Sequence, residues 1–406
     1  MDNNYQPISP SSLVNILTLR YDPSIIPNLP IKNFKDFESR SQAPNIDLIE
    51  KSICNNIEQK LKSFDGKKVC IALSGGVDST LVLSLLRKIR PDIEIDALSI
   101  KFANSVDETQ AASKISDTFN TNHTIIELEN YLSELPKAIS MIKMPFWDLH
   151  WYYVVKKSQS LSKVLISGDG GDELFGGYTF RYEKFLSLTS DSSTPKEKLL
   201  AYLDCHERDR VPDQENIFNH KSNFTWYHIH NHLLPFFDNE LSRLEQVFLA
   251  DYNGKLLYNF NPINTNIIKN FNMELLTPIL NDNLLDIAPH IVTSEKYNPN
   301  TNLGKLPLRS ILKKNKHEHL VGTQKLGFNV NTINLWEKHG KNLCKEFLSD
   351  ARIVKDGWIN NHWIKKHLDS PELDVKYVNK FFGILAFEVW YRLFITKEMD
   401  SNSTLD

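Results

Sequence analysis

Residues 69–79 read Val-Cys-Ile-Ala-Leu-Ser-Gly-Gly-Val-Asp-Ser, a short apolar run followed directly by a glycine-rich turn. The run predicts a buried strand, and the helical pattern over 80–90 predicts a helix immediately after the turn. Small residues at the start of a helix present backbone N–H groups that bind phosphate oxygens. Asp78 conflicts with a bare phosphate site, and a bound Mg²⁺ removes the conflict because it takes oxygen ligands from carboxylate and phosphate together.

A second glycine-rich segment follows the apolar run 164–166. Residues 167–178 read Ser-Gly-Asp-Gly-Gly-Asp-Glu-Leu-Phe-Gly-Gly-Tyr, and Asp172 repeats the arrangement of Asp78. The two segments together predict one nucleotide-and-metal site, in which Asp78 and Asp172 hold a single ion against a triphosphate. The sequence contains no Gly-x-x-x-x-Gly-Lys-Ser/Thr, so the first turn is not a Walker A loop.

Short apolar runs alternate with helical patterns between residues 68 and 180. Strands are predicted at 69–73, 95–100, 124–128 and 164–166, and helices at 46–64, 80–90, 107–119, 129–142 and 148–160. This alternation predicts an α/β fold with a doubly wound parallel sheet, whose ligands lie at the carboxyl ends of the strands. Helical patterns dominate after residue 183 (196–204, 240–259 and 379–395), so the C-terminal half is expected to be mainly α-helical.

The predicted domains are an N-terminal arm at 1–45, one catalytic domain at 46–395 and a polar tail at 396–406. The domain divides into a nucleotide-binding part, 46–182, and a mainly helical part, 183–395. The arm is broken repeatedly by prolines and is expected to pack over the main body or to be partly mobile, and the tail from residue 397 is expected to be disordered. The formal charge of −3, four scattered cysteines and the absence of a long apolar run predict a cytoplasmic protein without nucleic-acid or membrane partners.

Both motifs resemble those of known families. Ser-Gly-Gly-Val-Asp-Ser resembles the pyrophosphatase loop of enzymes that split ATP into AMP and pyrophosphate. The second motif resembles the signature of the synthetase domain of class B asparagine synthetases, which β-lactam synthetases and lasso-peptide cyclases share. The resemblance extends through most of 46–395, including 99–102, Asp107-Glu108, Lys305 with Leu308 and Arg309, and 324–328. It implies an adenine nucleotide α hydrolase-like, ATP pyrophosphatase fold.

The resemblance also implies ATP and Mg²⁺ as cofactors, with Asp78 and Asp172 as metal ligands. The nucleotide-binding residues that it implies are Leu73, Ser74, Gly75, Gly76, Asp78, Ser79, Ser99, Phe102, Ser167, Gly168 and Gly170. Three catalytic residues follow from it. Lys325 stabilises charge on phosphate and on the tetrahedral oxyanion, Glu274 helps to deprotonate the attacking nitrogen, and Asp169 lies near the reacting carbonyl.

The chain departs from this family in two ways. Residue 2 is Asp where a full-length asparagine synthetase has its glutaminase nucleophile, and residues 1–73 are too few for a glutaminase domain. We therefore expect ammonia that is free or supplied by a separate glutaminase subunit, or an amine on the substrate. The second departure is in residues 274–281, the acceptor segment, which resembles the family's Glu-x-Arg-x-Pro-Phe-Leu-Asp. Leu276 replaces the usual Arg there, and Asn281 replaces the usual Asp.

The expected activity is an ATP-dependent, AMP-forming amide ligation of aspartate or an analogue. One alternative is amidation or cyclisation of a different carboxylate, such as a peptide, a sugar acid or a biosynthetic intermediate. Another is a non-catalytic, nucleotide-binding regulatory subunit.

Overall fold

The computed structural model of the chain describes residues 9–40, 44–62, 64, 67–102, 109–323 and 331–405. Within these residues, five strands form one sheet in the order β3-β2-β1-β4-β5, and all neighbouring strands are parallel. The strands are β1 (Lys68–Ala72), β2 (Glu94–Phe102), β3 (Asn122–Leu128), β4 (Val164–Ile166) and β5 (Glu274–Leu276). The chain leaves β1 in one direction toward β2 and β3 and returns on its other side at β4. This reversal creates a cleft at the carboxyl ends of β1 and β4.

The helices follow the predicted pattern with shifted ends. Their bounds are α1 (Pro10–Leu19), α2 (Ile46–Lys62), α3 (Val77–Ile89), α4 (Thr109–Thr118), α5 (Leu135–Ile142), α6 (His150–Gln159), α7 (Gly171–Phe175), α8 (Thr179–Leu188), α9 (Pro195–Cys205), α10 (Trp226–Leu233), α11 (Arg243–Asp251), α12 (Asn261–Asn270), α13 (Asp282–Ile287), α14 (Thr293–Lys296), α15 (Leu306–Lys314), α16 (Thr332–Leu335), α17 (Lys341–Ser349), α18 (Arg352–Lys355), α19 (Asn361–Leu368) and α20 (Val375–Phe394). A π-helical stretch, Tyr252–Phe260, joins α11 to α12, and a hairpin of β6 (Tyr297–Asn298) and β7 (Leu303–Gly304) precedes α15.

Helices cover both faces of the sheet, which confirms the predicted doubly wound α/β class and the mainly helical C-terminal half. Helices α2, α3 and α15 pack together, and α5, α6 and α12 form another group. Helices α4 and α6 both contact β2. The strands β1, β2 and β4 are buried along most of their length, as expected for a parallel sheet covered on both sides.

Strand β5 was not predicted, because it has only three residues and lies in a half read as helical. Leu275 pairs with Leu165 in parallel register, and the Ser167 N–H donates to the Leu276 carbonyl at 3.0 Å. The strand therefore extends the sheet next to the second glycine-rich segment. The start of the acceptor segment, 274–276, is thus a strand, and only the residues after it reach the carboxyl edge of the sheet.

Between residues 9 and 40 the N-terminal arm packs on the main body, which was one of the two expectations, and it begins with the helix α1 despite its prolines. Pro10 occupies the first turn of α1, where its missing N–H costs nothing, and the Ser9 side chain caps the helix by accepting from the Ser12 N–H at 3.0 Å. Leu13 and Leu17 are buried in the core. The buried Gln214 side chain donates to the Leu17 carbonyl at 3.1 Å, so the arm is packed into the helical half.

The polar tail is also packed where it is described. The Leu405 N–H donates to the Ser133 carbonyl at 2.8 Å, and the Leu405 side chain is buried. The expectation of a disordered tail rested on its polar composition, but two apolar residues, Met399 and Leu405, pack against the core. Across the described part of the chain, no helix combines the length and the apolar character needed to cross a bilayer.

Candidate active site

The first loop leaves β1 at Leu73, whose N–H donates to the Leu98 carbonyl at 2.8 Å. Gly75 has a φ of +75°, a conformation that side chains other than glycine rarely adopt, and the loop turns there into α3. The Ser74 and Ser79 hydroxyl oxygens lie 3.3 Å apart, and the Gly76 N–H is 3.4 Å from the Ser74 oxygen. These contacts are longer than the ~2.8–3.0 Å of strong hydrogen bonds. The hydroxyl and N–H groups therefore give up little when they turn to a phosphate.

The second loop packs directly against the first. A Cβ atom at Gly168 would lie 2.8 Å from the backbone carbon of Asp78 and 2.8 Å from the Ser79 nitrogen, and a Cβ atom at Gly171 would collide with the Asp78 carboxyl group. Gly170 has a φ of +91°, and a Cβ there would collide with the Leu280 side chain. The absence of side chains at Gly168 and Gly171 allows the two loops to meet, and its absence at Gly170 leaves room for Leu280.

Asp78 and Asp172 meet at one cation, the Lys305 ammonium group. Lys305 Nζ donates to Asp78 Oδ2 and lies 2.9 Å from Asp172 Oδ1. All three side chains are largely shielded, with exposed fractions of 11% for Lys305, 15% for Asp78 and 23% for Asp172. Burial alone would lower the pKa of Lys305, but the carboxylates of Asp172 and Asp78 hold it above its ordinary value. The ammonium group is therefore charged.

Backbone contacts fix the position of Lys305. Its N–H donates to the Phe175 carbonyl at 3.1 Å, and its own carbonyl accepts from the Arg309 N–H at 3.0 Å. Lys305 adopts the left-handed conformation (φ +58°) just before α15. Gly304 packs against the Gly176 backbone so closely that a Cβ atom would collide with the Gly176 carbonyl. The hairpin before α15 thereby delivers Lys305 to the end of the second motif.

Arg309 adds a second cation on the same side. Its guanidinium donates from Nε to the Gly304 carbonyl at 3.1 Å and from Nη2 to the Gly322 carbonyl at 2.9 Å. Burial lowers the pKa of Arg309, and the nearby Asp78 carboxylate opposes that effect. Lys305, just before α15, and Arg309, within α15, thus place two positive charges near the loop that contains Asp78.

The donor set fits the implied Mg²⁺ and nucleotide. Two carboxylates from separate loops converge on one positive charge, as a hard divalent ion requires. The glycine-rich turn at the start of α3 offers N–H groups and two hydroxyls beside them. Asp78 and Asp172 would hold the ion, and Ser74, Gly75, Gly76 and Ser79 would surround the phosphates.

Asp169 lies in the second loop and contacts the helical half. Asn264 of α12 donates from Nδ2 to Asp169 Oδ2 at 2.9 Å. Burial raises the pKa of Asp169, although hydrogen bonds from Ser167 and Asn264 act in the opposite direction. Asp172 and His150 also act on this carboxyl electrostatically, so Asp169 lies near Asp172 and near the start of α6.

Ser99 and Phe102 lie on β2 beside the first loop. The Ser99 hydroxyl donates to the Leu73 carbonyl at 2.6 Å and lies 2.8 Å from His123 Nε2. Ser99 therefore fixes the end of β1, where the first loop begins. The Phe102 ring centroid is 6.0 Å from the His150 ring, on the side of Asp169.

The structure does not bring Glu274 to these loops. Glu274 is the first residue of β5, is exposed, and pairs with Val164, the first residue of β4. The site lies at the opposite, carboxyl edge of the sheet, about 7–10 Å away along the strands at ~3.3 Å per residue. Strand pairing holds the Glu274 backbone at the amino edge, and its role in deprotonation stays a prediction.

Lys325 lies outside the described residues, as do Asp107, Glu108 and the rest of 324–328. The pairing of Lys305 with the two aspartates and the contact of Asn264 with Asp169 do not follow from the sequence. Lys305, Leu308 and Arg309 belong to the family resemblance, which does not indicate their contacts. The signal available for Lys305 was a lysine beside a glycine, which by itself does not indicate where the side chain lies.

The fold and the two loops define a class: an α/β protein with two glycine-rich loops and an acidic pair at the carboxyl edge of a parallel sheet. Comparison with known proteins specifies the family. The asparagine synthase family model matches residues 60–392, so the chain belongs to that family.

Curated relatives agree with this membership. The chain is 26% identical over 376 residues to asparagine synthetase [glutamine-hydrolyzing] 1 of Bacillus subtilis, a match that covers 80% of this chain and 56% of that protein. It is 37% identical over 111 residues to putative asparagine synthetase [glutamine-hydrolyzing] 2 of Methanocaldococcus jannaschii, covering 26% of this chain and 22% of that protein. The chain thus spans about half or less of the length of these relatives.

Solved structures give looser similarities. NMN synthetase from Francisella tularensis aligns with 56% of this chain and 93% of its own at a TM-score of 0.27 and 16% identity. The NH₃-dependent NAD synthetase from Campylobacter jejuni aligns with 41% of this chain and 76% of its own at a TM-score of 0.24 and 23% identity.

Proposed function

We propose that this protein is an ATP-dependent, AMP-forming amide ligase, which adenylates a carboxylate and transfers ammonia or an amine to it. The observation that carries the proposal is the convergence of Asp78 and Asp172 on one cation beside the glycine-rich turn at the start of α3. Membership of the asparagine synthase family supports it. The nitrogen is ammonia, either free or supplied by a glutaminase, or an amine of the substrate itself.

The chain supplies groups for adenylation. The carboxylate substrate attacks the α-phosphate of ATP, which forms the acyl-adenylate and releases pyrophosphate. The N–H groups and hydroxyls around Ser74 and Ser79 hold the leaving phosphates, and Lys305 and Arg309 offset their negative charge. Mg²⁺ on Asp78 and Asp172 would add further neutralisation of the pyrophosphate. Leu73, Phe102, Ser167, Gly168 and Gly170 are the remaining groups that we assign to nucleotide binding.

Amide formation needs a base and an oxyanion stabiliser. We assign the second role to Lys325, from the family resemblance. For the first role, Asp169 is better placed than Glu274. It lies in the second loop beside Asp172, and burial raises its pKa, which makes its carboxylate a stronger proton acceptor. Asn264 holds it in position through the 2.9 Å hydrogen bond.

A carboxylate other than free aspartate is a second candidate acceptor, and two residues favour it. Leu276, which stands where the family usually has Arg, is buried at the carboxyl end of β5, next to Ser167. Asn281 is committed to structure. Its Oδ1 accepts from the Leu284 N–H at 3.1 Å as the cap of α13, and from the Ser52 hydroxyl at 2.8 Å. Neither residue offers a charge to an amino acid substrate.

The test combines the purified protein with ATP, Mg²⁺ and ¹⁵N-ammonium across a panel of carboxylic acids that includes aspartate. We expect AMP and pyrophosphate to appear only with an accepted acid, and mass spectrometry to show one ¹⁵N in the product. Asparagine as product would identify aspartate as the acceptor, whereas turnover on another acid alone would favour the second candidate. ATP binding without acid-dependent AMP formation across the panel would overturn the ligase assignment in favour of a regulatory subunit.

A further inference from the structure

The Lys305 ammonium group lies between the two predicted metal ligands, so a divalent ion that binds them has to compete with it. We propose that Lys305 is a resident counter-cation, which holds Asp78 and Asp172 together until a divalent ion arrives with ATP. The incoming ion displaces the ammonium group from at least one carboxylate. The inference deepens the proposed function, because it rests on Asp78 and Asp172 being the metal ligands.

Electrostatics requires some cation at this position. The two carboxylates come from loops that touch each other, and both are mostly shielded from water. Like charges held this close repel strongly in a partly buried site. Lys305 contacts both of them, so it offsets the repulsion and keeps the second loop packed on the first. The loops are thereby preorganised before any ligand binds.

The charge of the cluster formed by Asp78, Asp172 and Lys305 changes sign when a divalent ion enters. The three groups together carry one net negative charge, which offsets the attraction of Arg309 for a triphosphate. With a divalent ion added, the same set carries one net positive charge, which attracts it. Nucleotide and ion therefore favour each other's binding, while an ion alone competes with an ammonium group already in place.

The backbone of Lys305 stays fixed during this exchange and only the side chain moves. Hydrogen bonds to Phe175 and from Arg309 hold the main chain at the start of α15. A lysine carries its charge on a flexible four-carbon stem, so Nζ can turn from a carboxylate to a phosphate oxygen without moving the helix. Lys305 thus pairs with the carboxylates before the ion and ATP bind, and with the pyrophosphate afterwards.

The experiment measures Mn²⁺ binding to the nucleotide-free protein by electron paramagnetic resonance of free Mn²⁺. Lys305→Met removes the competing charge, so we expect Mn²⁺ to bind at least about tenfold more tightly than to the unsubstituted protein. Lys314→Met is the matched control. Lys314 lies at the other end of α15 and pairs with Asp47 and Glu50, so its loss should leave Mn²⁺ binding unchanged.

The location of the bound ion is checked with Asp172→Asn in the Lys305→Met background, which should abolish the gain. Unchanged or weaker Mn²⁺ binding by Lys305→Met, or a gain that survives Asp172→Asn, would overturn the proposal. Should Lys305→Met fail to fold by circular dichroism, Lys305→Gln keeps a neutral donor for one carboxylate and should show a gain in the same direction. Unchanged binding by the folded Gln variant would equally overturn it.

This readout is independent of catalysis. A protein that forms no AMP with any acid, but binds Mn²⁺ more tightly once Lys305 is replaced, would refute the ligase and retain the counter-cation. An active ligase whose Lys305 variants bind Mn²⁺ no more tightly would retain the ligase and refute the counter-cation.

Discussion

Replacing Gly168 by Ala tests whether close contact between the two loops creates the site. The added methyl group would lie 2.8 Å from three atoms of the first loop: the backbone carbon and Cβ of Asp78 and the nitrogen of Ser79. Two of these atoms belong to the backbone, so no change of rotamer relieves the overlap. The loops must separate.

The size of the separation follows from ordinary packing distances. Nonbonded carbon atoms prefer about 3.5–4.0 Å, so the loops have to part by roughly 1 Å to accept the methyl group. Overpacking of this kind costs about 1–3 kcal/mol of folding free energy. A displacement of about 1 Å at reacting groups costs on the order of 100-fold in rate. We therefore expect a folded Gly168→Ala protein with a much reduced rate of pyrophosphate release.

The assay measures ATP-dependent pyrophosphate release with an accepted acid, together with thermal unfolding. Gly383→Ala is the control, because it lies in α20 and its Cβ would meet only a flexible side-chain end, Leu17 Cδ2, at 3.2 Å. We expect Gly383→Ala to keep its activity. A Gly168→Ala protein as active as the unsubstituted protein would show that the two loops need not touch. That result would contradict the claim that their close contact creates the site.

Three further predictions concern charge. Asp78→Asn and Asp172→Asn should each lower pyrophosphate release by more than about 100-fold, because each removes a ligand for the ion. Calorimetry should show that both variants still bind ATP weakly. Near-normal pyrophosphate release by either variant would contradict the metal assignment. Burial lowers the pKa of Lys296 to about 7, so between pH 7 and its ordinary pKa the unfolded chain binds more protons and stability rises with pH. Urea unfolding at pH 7 and pH 9 should show that the free energy of unfolding rises less with pH in Lys296→Met than in the unsubstituted protein, by up to about 1.4 kcal/mol per pH unit. An equal rise in the two proteins would argue against a buried neutral amine at Lys296. Asn264→Ala removes a donor to the Asp169 carboxylate, so the pKa of Asp169 should rise further and the acid limb of the pH–rate profile should move to higher pH; an unmoved limb would exclude Asp169 as the base.

The first four strands and both glycine-rich loops were readable from sequence, because their signals are local. The run 69–73 is apolar, continuous and followed by residues that only a sharp turn requires, and 164–166 repeats the pattern. Parallel pairing of β1 with β4 then places Asp78 and Asp172 at one edge of the sheet. Their proximity is thus a consequence of topology, which the alternation of strands and helices predicts.

What the sequence did not show depends on contacts between distant segments. Glu274–Leu276 is too short to display a period of two, and it becomes a strand only because β4 offers it an edge. The role of Asn281 as a helix cap emerges only once α13 is placed. Lys305 reaches Asp78 across 227 residues of chain, and no local pattern reports such a pairing.

That long separation bears on the order of events during translation. At about 5–20 residues per second, a ribosome completes Lys305 roughly 10–45 s after it completes Asp78. During that interval the nascent β1 and α3 carry the acidic loop without its eventual lysine. Pairing of the acidic loop with its lysine is therefore a late step in biogenesis, which waits for the synthesis of the 227 residues between Asp78 and Lys305.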